Sequence, residues 1–440
     1  MDRKGKVLFS NFKSENWVNL ILFAIFCFYV VYFSAAFNYG HFGVDYMAYW
    51  SVGKIADVKG YSEIYDLNNL RSVQTQELND SSLQAEPGNS SVPLFPVPYF
   101  SFFLLPFQLL SRLSLFNSFW IWTILNLVIL VGYLVFFIRR TNPGSRVNRE
   151  SLYFLALLLI SYPVFFNLTC GQVEVFLLVC TGEFIRYAIS KKPIYSGIWL
   201  GGLLLKPQLL ILIIPIILIM RNWRVLMGFI ISSGIILITS TLLSGFAGMK
   251  ALVNLWTKFS ADLTTSYPEA MINWRMIGVN LNDLFNTSLG WLITGLGLIL
   301  TIIAVYFLIK HKPPYGSPQW VMIMLGVFSA TLAITWHSHY HMAMILIPFL
   351  IYALLNKLLL EKIITLWAIV TPVAWLVILI IEILFLDMTN INISNINGII
   401  IGFLGFIFNL VILISTLQFI YNSNSTHKCN FETVNRGKLK

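Results

Sequence analysis

The sequence predicts an all-α polytopic membrane protein: a bundle of about twelve transmembrane helices with interfacial helices in its first outer loop. Three observations carry this. The 440 residues are 57% hydrophobic and only 11% charged, whereas soluble domains carry about 25% charged residues. Mean hydropathy is +0.76, and the apolar residues fall in many runs near the length that crosses a bilayer. Finally, Lys and Arg collect in alternate connecting segments, as expected when cytoplasmic loops hold the positive charge. The net charge of +10 therefore reads as a topology signal, and nucleic acid is not a predicted partner. The four cysteines form no framework: Cys27, Cys170 and Cys180 lie in or beside apolar runs and Cys429 lies in the tail, so they read as small apolar fillers. The first apolar run is long enough to span and lacks a small-residue cleavage site, so no cleavable signal is expected.

In chain order, a cytoplasmic tail (1–16) with Arg3, Lys4, Lys6 and Lys13 precedes the first span, 17–36. A long polar outer loop, 37–114, follows. The next clear span is 115–138, closed by Arg139 and Arg140. Further spans read as 151–168, 173–190, 193–205, 208–221, 222–244, 287–309, 318–336, 341–356, 363–386 and 398–421, with a second outer loop at 245–286. A cytoplasmic tail (422–440) ends the chain, so 17–421 forms one membrane domain with both termini inside. This assignment leaves eight of the 29 Lys and Arg outside: Lys54, Lys59, Arg71, Arg112, Lys206, Lys250, Lys258 and Arg275.

Two stretches resist simple spans. The runs flanking Lys206-Pro207-Gln208 are each shorter than a full crossing and read as tilted or broken helices. The segment 98–113, with Pro98, Pro106 and Arg112, is apolar, but spanning there would move Arg139 and Arg140 outside. It reads instead as an interfacial or re-entrant helix. Residues 79–91, rich in Asn, Ser and Gly, read as an exposed loop tip. The Asn89-Ser90-Ser91 sequon there matters only in a compartment that glycosylates.

The polar segments of any size face outward, away from cytosolic nucleotide pools, so a lipid-carried donor fits better than a nucleotide-activated one. Within His41-Phe42-Gly43-Val44-Asp45-Tyr46-Met47-Ala48-Tyr49-Trp50, Asp45 sits just past the first span among aromatics suited to a membrane–water interface. It can serve as a general base toward a hydroxyl, or cap the helix that starts near Tyr46. Gly60 to Asp66 supplies a turn with Tyr61 and Tyr65, which can also be plain interfacial anchors. Prolines 93, 96 and 98 give a rigid entry to the following helix. Gly171 permits a tight outer turn that presents Gln172 and Glu174, as a substrate contact or simply as a turn. Lys206 lies in an apolar run, where a cation must snorkel to the interface or pair with an anion such as a lipid phosphate; Pro207 opens a polar niche beside it. His337, His339 and His341 alternate. That spacing suits metal ligation in extended backbone, but no carboxylate or cysteine nearby in sequence completes a set, so hydrogen bonding to a phosphate or sugar fits better. Arg275, in Asn273-Trp274-Arg275, can grip an anion bidentately or be a solvated loop cation.

Taken in order, these stretches resemble glycosyltransferase family 87, a branch of the GT-C membrane glycosyltransferases, over about residues 17–350. They are Asp45-Tyr46-Met47-Ala48-Tyr49, Gly60-Tyr61 through Tyr65-Asp66, Phe95-Pro96-Val97-Pro98 into Pro106, Gly171-Gln172, Lys206-Pro207-Gln208, and Trp336 to His341. Val97 interrupts the Tyr-Pro-Pro often seen before the interfacial helix, and Met342 stands where an acid often follows the histidines.

The resemblance implies a GT-C-like bundle and inverting transfer of a sugar, often mannose, from a polyprenyl-phosphate carrier to a lipid or glycan acceptor hydroxyl. Asp45 would be the catalytic base. Lys206, Gln208, His337, His339, His341, Arg275, Gln172, Tyr49 and Tyr65 would bind donor phosphate or substrate. No cofactor and no metal is expected. The expected setting is a multi-pass protein of a bacterial inner membrane with its site on the exoplasmic side. Competing classes are a transporter or flippase of lipid-linked sugars, which would favour broken helices and buried charge, and a membrane glycan polymerase or ligase.

Overall fold

A computed structural model of the chain describes residues 12–38, 40, 43–80, 94–141, 149–261, 267–385 and 393–437. Most of the 79–91 loop tip with its sequon, His41, Phe42 and the extreme tails lie outside the described residues. Among the described residues the fold is helical and contains no strand.

Helix α1 (Phe12–Asn38) leads into α2 (Val44–Val58), α3 (Leu67–Asp80) and the short α4 (Leu105–Leu110), followed by α5 (Leu115–Thr141). Next come α6 (Arg149–Ile160) and α7 (Tyr162–Cys170), bent by 51° at Ser161, where Pro163 cannot donate to the helical ladder. Helix α8 (Glu174–Ile189) precedes α9 (Pro193–Gly201), α10 (Ile213–Ile219) and the long α11 (Trp223–Ala261). The chain closes with α12 (Trp274–Phe285), α13 (Leu289–Ile309), α14 (Pro318–Ile334), α15 (Ile347–Leu355), α16 (Glu361–Phe385) and α17 (Ile393–Gly437).

Every predicted span falls on helix, but the twelve-span count is not matched by helix length. Among the described residues, six helices are long and apolar enough to cross a bilayer, or seven if the bent α6–α7 pair is one span. The others are short: Pro193–Leu205, Pro207–Ile219, Pro318–Ile334 and Tyr340–Leu355 each have fewer than 18 residues, and α8 has 16. Prolines at 193, 207, 318 and 348 and the glycines at 201 and 202 punctuate this region, since each proline removes a donor and prevents backward extension. The surfaces of the long helices identify their solvent. Leu242 and Phe246 are 81% and 86% exposed, and Phe23, Val31, Val128 and Leu300 are also exposed. Large apolar side chains exposed on helices of crossing length suit a lipid environment.

The segment 245–286, expected as a loop, is largely helical. Helix α11 consists of two helical segments joined by a kink at Gly245, whose backbone turns to φ +68°, ψ 174°, a conformation open to glycine. The segment 98–113, expected as an interfacial or re-entrant helix, contains a 3-10 turn, Ser101–Leu104, running into the short α4, and it packs against α2. The core centres on α14, nearly all of whose side chains are buried, and on the run 340–353 packed beside it.

Candidate active site

Asp45 lies in the first turn of α2, whose N-cap is Gly43; the cap makes no side-chain hydrogen bond. Asp45 is therefore not the cap that the sequence allowed. Its half-buried carboxylate reaches across to the α7–α8 turn, where Oδ2 accepts from Gln172 Nε2 at 2.7 Å. Two glycines make that approach possible. Gly171 ends α7 in the left-handed region (φ +69°), and Gln172 N–H returns to the Asn167 carbonyl at 2.9 Å, a helix-ending arrangement that favours glycine. A side chain at Gly171 would meet Tyr46 Cβ at 2.6 Å, and one at Gly43 would meet the Cys170 carbonyl at 2.5 Å.

Gln172 is the hub. Its Oε1 accepts from Tyr49 Oη at 2.8 Å and from Lys206 Nζ at 3.4 Å, and Tyr49 Oη lies 3.3 Å from Tyr99 Oη. Lys206 sits where the 3-10 turns Gly202–Leu205 and Pro207–Leu210 meet, at φ −131°, ψ 80°. Pro207 pushes its predecessor out of helical geometry, which aims the Lys206 chain inward.

The sequence reading offered Lys206 a lipid phosphate; in the structure its ammonium already pairs with Glu174, and both are buried. A cation without water requires such a partner. His341 Nε2 lies 3.4 Å from Lys206 Nζ and 3.5 Å from Glu174 Oε1, and its ring stacks on Phe166 at 5.7 Å. Glu174 Oε2, His341 Nδ1 and Asn167 Nδ2 are buried without a hydrogen-bond partner among the described residues.

After α14 the chain runs without helix to Tyr340, so the alternating histidines lie side by side. The His337 and His339 rings are 4.8 Å apart, and those of His339 and His341 are 6.0 Å apart. Arg275, at the start of α12, donates to the Trp336 carbonyl at 3.2 Å and lies 4.5 Å over the Trp336 ring. Asn273 caps α12 and donates to the Thr335 carbonyl at 2.7 Å, which ties α12 to the histidine run. Two predicted residues stand apart. Tyr65 donates to the Tyr99 carbonyl at 2.7 Å and supports that segment from behind. Gln208 contributes its backbone carbonyl to Thr335 at 3.4 Å.

Burial raises the Asp45 carboxyl above the usual carboxylate range, while the Gln172 hydrogen bond and the Lys206 charge pull it back. Burial lowers His337 well below the ordinary imidazole value, aided by His339, Lys206 and Arg275. His337 is thus a neutral hydrogen-bonding group near pH 7. Among the described residues, no group of three or more His, Cys, Asp or Glu side chains is arranged to hold a metal ion. Glu174, offered by the sequence as a substrate contact or plain turn residue, belongs to this cluster as the partner of Lys206, and Tyr99, to which the sequence assigns no role, joins it through Tyr49. The signal for Glu174 was a carboxylate opening an apolar run, which calls for a cation elsewhere in the bundle.

The sequence model of glycosyltransferase family 87 matches residues 97–335, more than half of the chain. The chain belongs to glycosyltransferase family 87. Comparison with curated proteins and with solved structures returns no match. As a family 87 member it is a membrane glycosyltransferase, which implies donor and acceptor substrates. The matched segment contains Tyr99, Gln172, Glu174, Lys206, Gln208 and Arg275. Asp45 precedes the matched segment and the three histidines follow it, and the fold brings both to the Gln172–Lys206 cluster.

Proposed function

We propose that this family 87 enzyme moves a hexose, mannose first among the candidates, from a polyprenyl-phosphate carrier to a hydroxyl of a lipid or glycan acceptor, with inversion. Asp45 removes the acceptor proton as the hydroxyl oxygen attacks the anomeric carbon. The bond from that carbon to the phosphate oxygen breaks, and its electron pair leaves with the polyprenyl phosphate. Positive charge developing on the sugar is favoured by the nearby carboxylate. Arg275, His337 and His339 are the donors offered to the leaving phosphate, and Lys206 is the fixed cation of the Asp45 network. In this reading α8 and the shorter helices complete a twelve-span GT-C-like bundle with both termini inside. The 101–110 helix lies at the interface, and the site faces the exoplasmic side of a bacterial inner membrane.

One observation supports this reading above the others: Asp45 is half-buried, with one carboxylate oxygen held by Gln172 and the other taking no hydrogen bond among the described residues. That is the disposition of a base awaiting a substrate hydroxyl. The test is mass analysis of products formed by purified protein from a panel of polyprenyl-phosphate sugars with a membrane lipid extract as acceptor. A product one sugar heavier than the acceptor is expected. Movement of the sugar-lipid across vesicles without product would favour the transporter.

A further inference from the structure

The orientation of the Gln172 side chain is dictated by its neighbours. Lys206 Nζ is a donor only, and an ionised Asp45 is an acceptor only. With Oε1 toward Lys206 and Tyr49, and Nε2 toward Asp45, both contacts are attractive. Turning the amide over would set N–H against ammonium and oxygen against carboxylate, making both repulsive. Lys206 cannot swing away, because Glu174 and His341 hold its other side in a buried setting. The order therefore passes along one line: Glu174 fixes Lys206, Lys206 and Tyr49 fix the amide, and the amide fixes Asp45 Oδ2. Tyr49 is itself clamped, its ring stacked on Tyr99 at 5.8 Å and on Phe107 at 5.0 Å.

We infer that Gln172 is a positioning residue for the transfer reaction rather than a substrate contact: its locked amide holds one oxygen of Asp45 and leaves the other aimed at the acceptor hydroxyl. This role rests on Asp45 being the base. The hydrogen bond also favours the ionised carboxylate, which a purely structural amide at another site would not do. The other titratable or charged groups facing Asp45 are Lys206, Glu174, Tyr49, Tyr99 and Cys170. All of them remain when Gln172 alone is changed.

The experiment titrates the Asp45 carboxyl by infrared difference spectroscopy on the full-length protein in detergent, with Asp45→Asn counterparts isolating its band. Gln172→Leu should move the titration midpoint up by about one pH unit, the scale of one charge-assisted hydrogen bond. Tyr49→Phe, which keeps the ring stack and removes one donor to Oε1, should move it up by less. An unchanged midpoint in folded Gln172→Leu overturns the role. If Gln172→Leu does not elute as a monodisperse protein, Tyr49→Phe decides by the same criterion. Undiminished sugar transfer by Asp45→Asn overturns the base reading, and the aim of Gln172 with it. Loss of transfer in Asp45→Asn with an unchanged Gln172→Leu midpoint overturns the role of Gln172 alone.

Discussion

Glu174 and Lys206, 32 positions apart in the chain, close an ion pair in which both side chains are nearly without solvent contact. One stands at the first residue of α8 and the other in the break before α10, so the pair ties the start of α8 to that break, and Gln172 links Lys206 to Asp45. Breaking such a pair leaves an uncompensated buried charge, which costs about 3–5 kcal/mol, whereas replacing both partners by apolar groups is often close to neutral. Lys206→Met should therefore lower the unfolding temperature in detergent sharply, and Lys206→Met with Glu174→Leu should recover most of it. Equal destabilisation in the single and double variants would contradict the pairing. The double variant also separates stability from chemistry: its apparent affinity for the polyprenyl-phosphate donor reads any direct role of Lys206.

Asp45→Asn keeps the shape of the side chain and removes the base. Positioned general bases contribute about 10²- to 10⁴-fold to rate, so on the proposed mechanism transfer should fall by at least two orders of magnitude. Membrane insertion and elution profile should stay unchanged. Product formation is followed with radiolabelled donor, and wild-type turnover in this variant would exclude Asp45 as the base.

The raised Asp45 carboxyl fixes two signs. Transfer requires the ionised form, so the rate should fall as pH decreases, with the acid limb above the ordinary aspartate value of about 3.9. Stability runs the other way. A carboxyl raised in the folded state favours folding most at pH below its unfolded value, and that contribution is lost as pH rises through the folded value. Asp45→Asn should gain melting temperature relative to wild type above that window and show no gain below it. An acid limb at or below the ordinary value, or a gain that grows on acidification, contradicts the assignment.

The helices of this fold were legible because apolar runs and prolines mark them locally. The Lys206-Pro207 break was readable for the same reason, since a cation and a proline inside one apolar run each require an exception. The partners were not readable. Gln172 and Asp45 are 127 positions apart, and Lys206 and His341 are 135 apart; pairings at such separations leave no periodicity in the chain. The region 245–286 reads in the sequence as a polar outer loop. Yet helix resumes beyond Gly245, and α12 forms under the Asn273 cap. The broken character of the 208–221 run is legible for the same local reason: it is too short for a full crossing, and it begins in a 3-10 turn at Pro207.

Gly171 offers the most local test of how the site is assembled. Its φ of +69° already disfavours any side chain, and an added Cβ would meet Tyr46 Cβ at 2.6 Å and the Phe119 ring at 3.1 Å. Neither neighbour can yield easily. Tyr46 is fully buried and hydrogen-bonded to Ser118 at 2.5 Å, and Phe119 packs edge-on against it at 5.7 Å. Gly171→Ala should therefore cost about 1–3 kcal/mol from backbone strain and overpacking. Relief requires α2 to shift away from the α7–α8 turn, which lengthens the Asp45–Gln172 contact. Transfer should then fall more than stability alone explains, with the Asp45 titration midpoint moving upward, as expected also for Gln172→Leu. Full activity and an unmoved midpoint in Gly171→Ala would show that the α2 approach does not set the carboxylate.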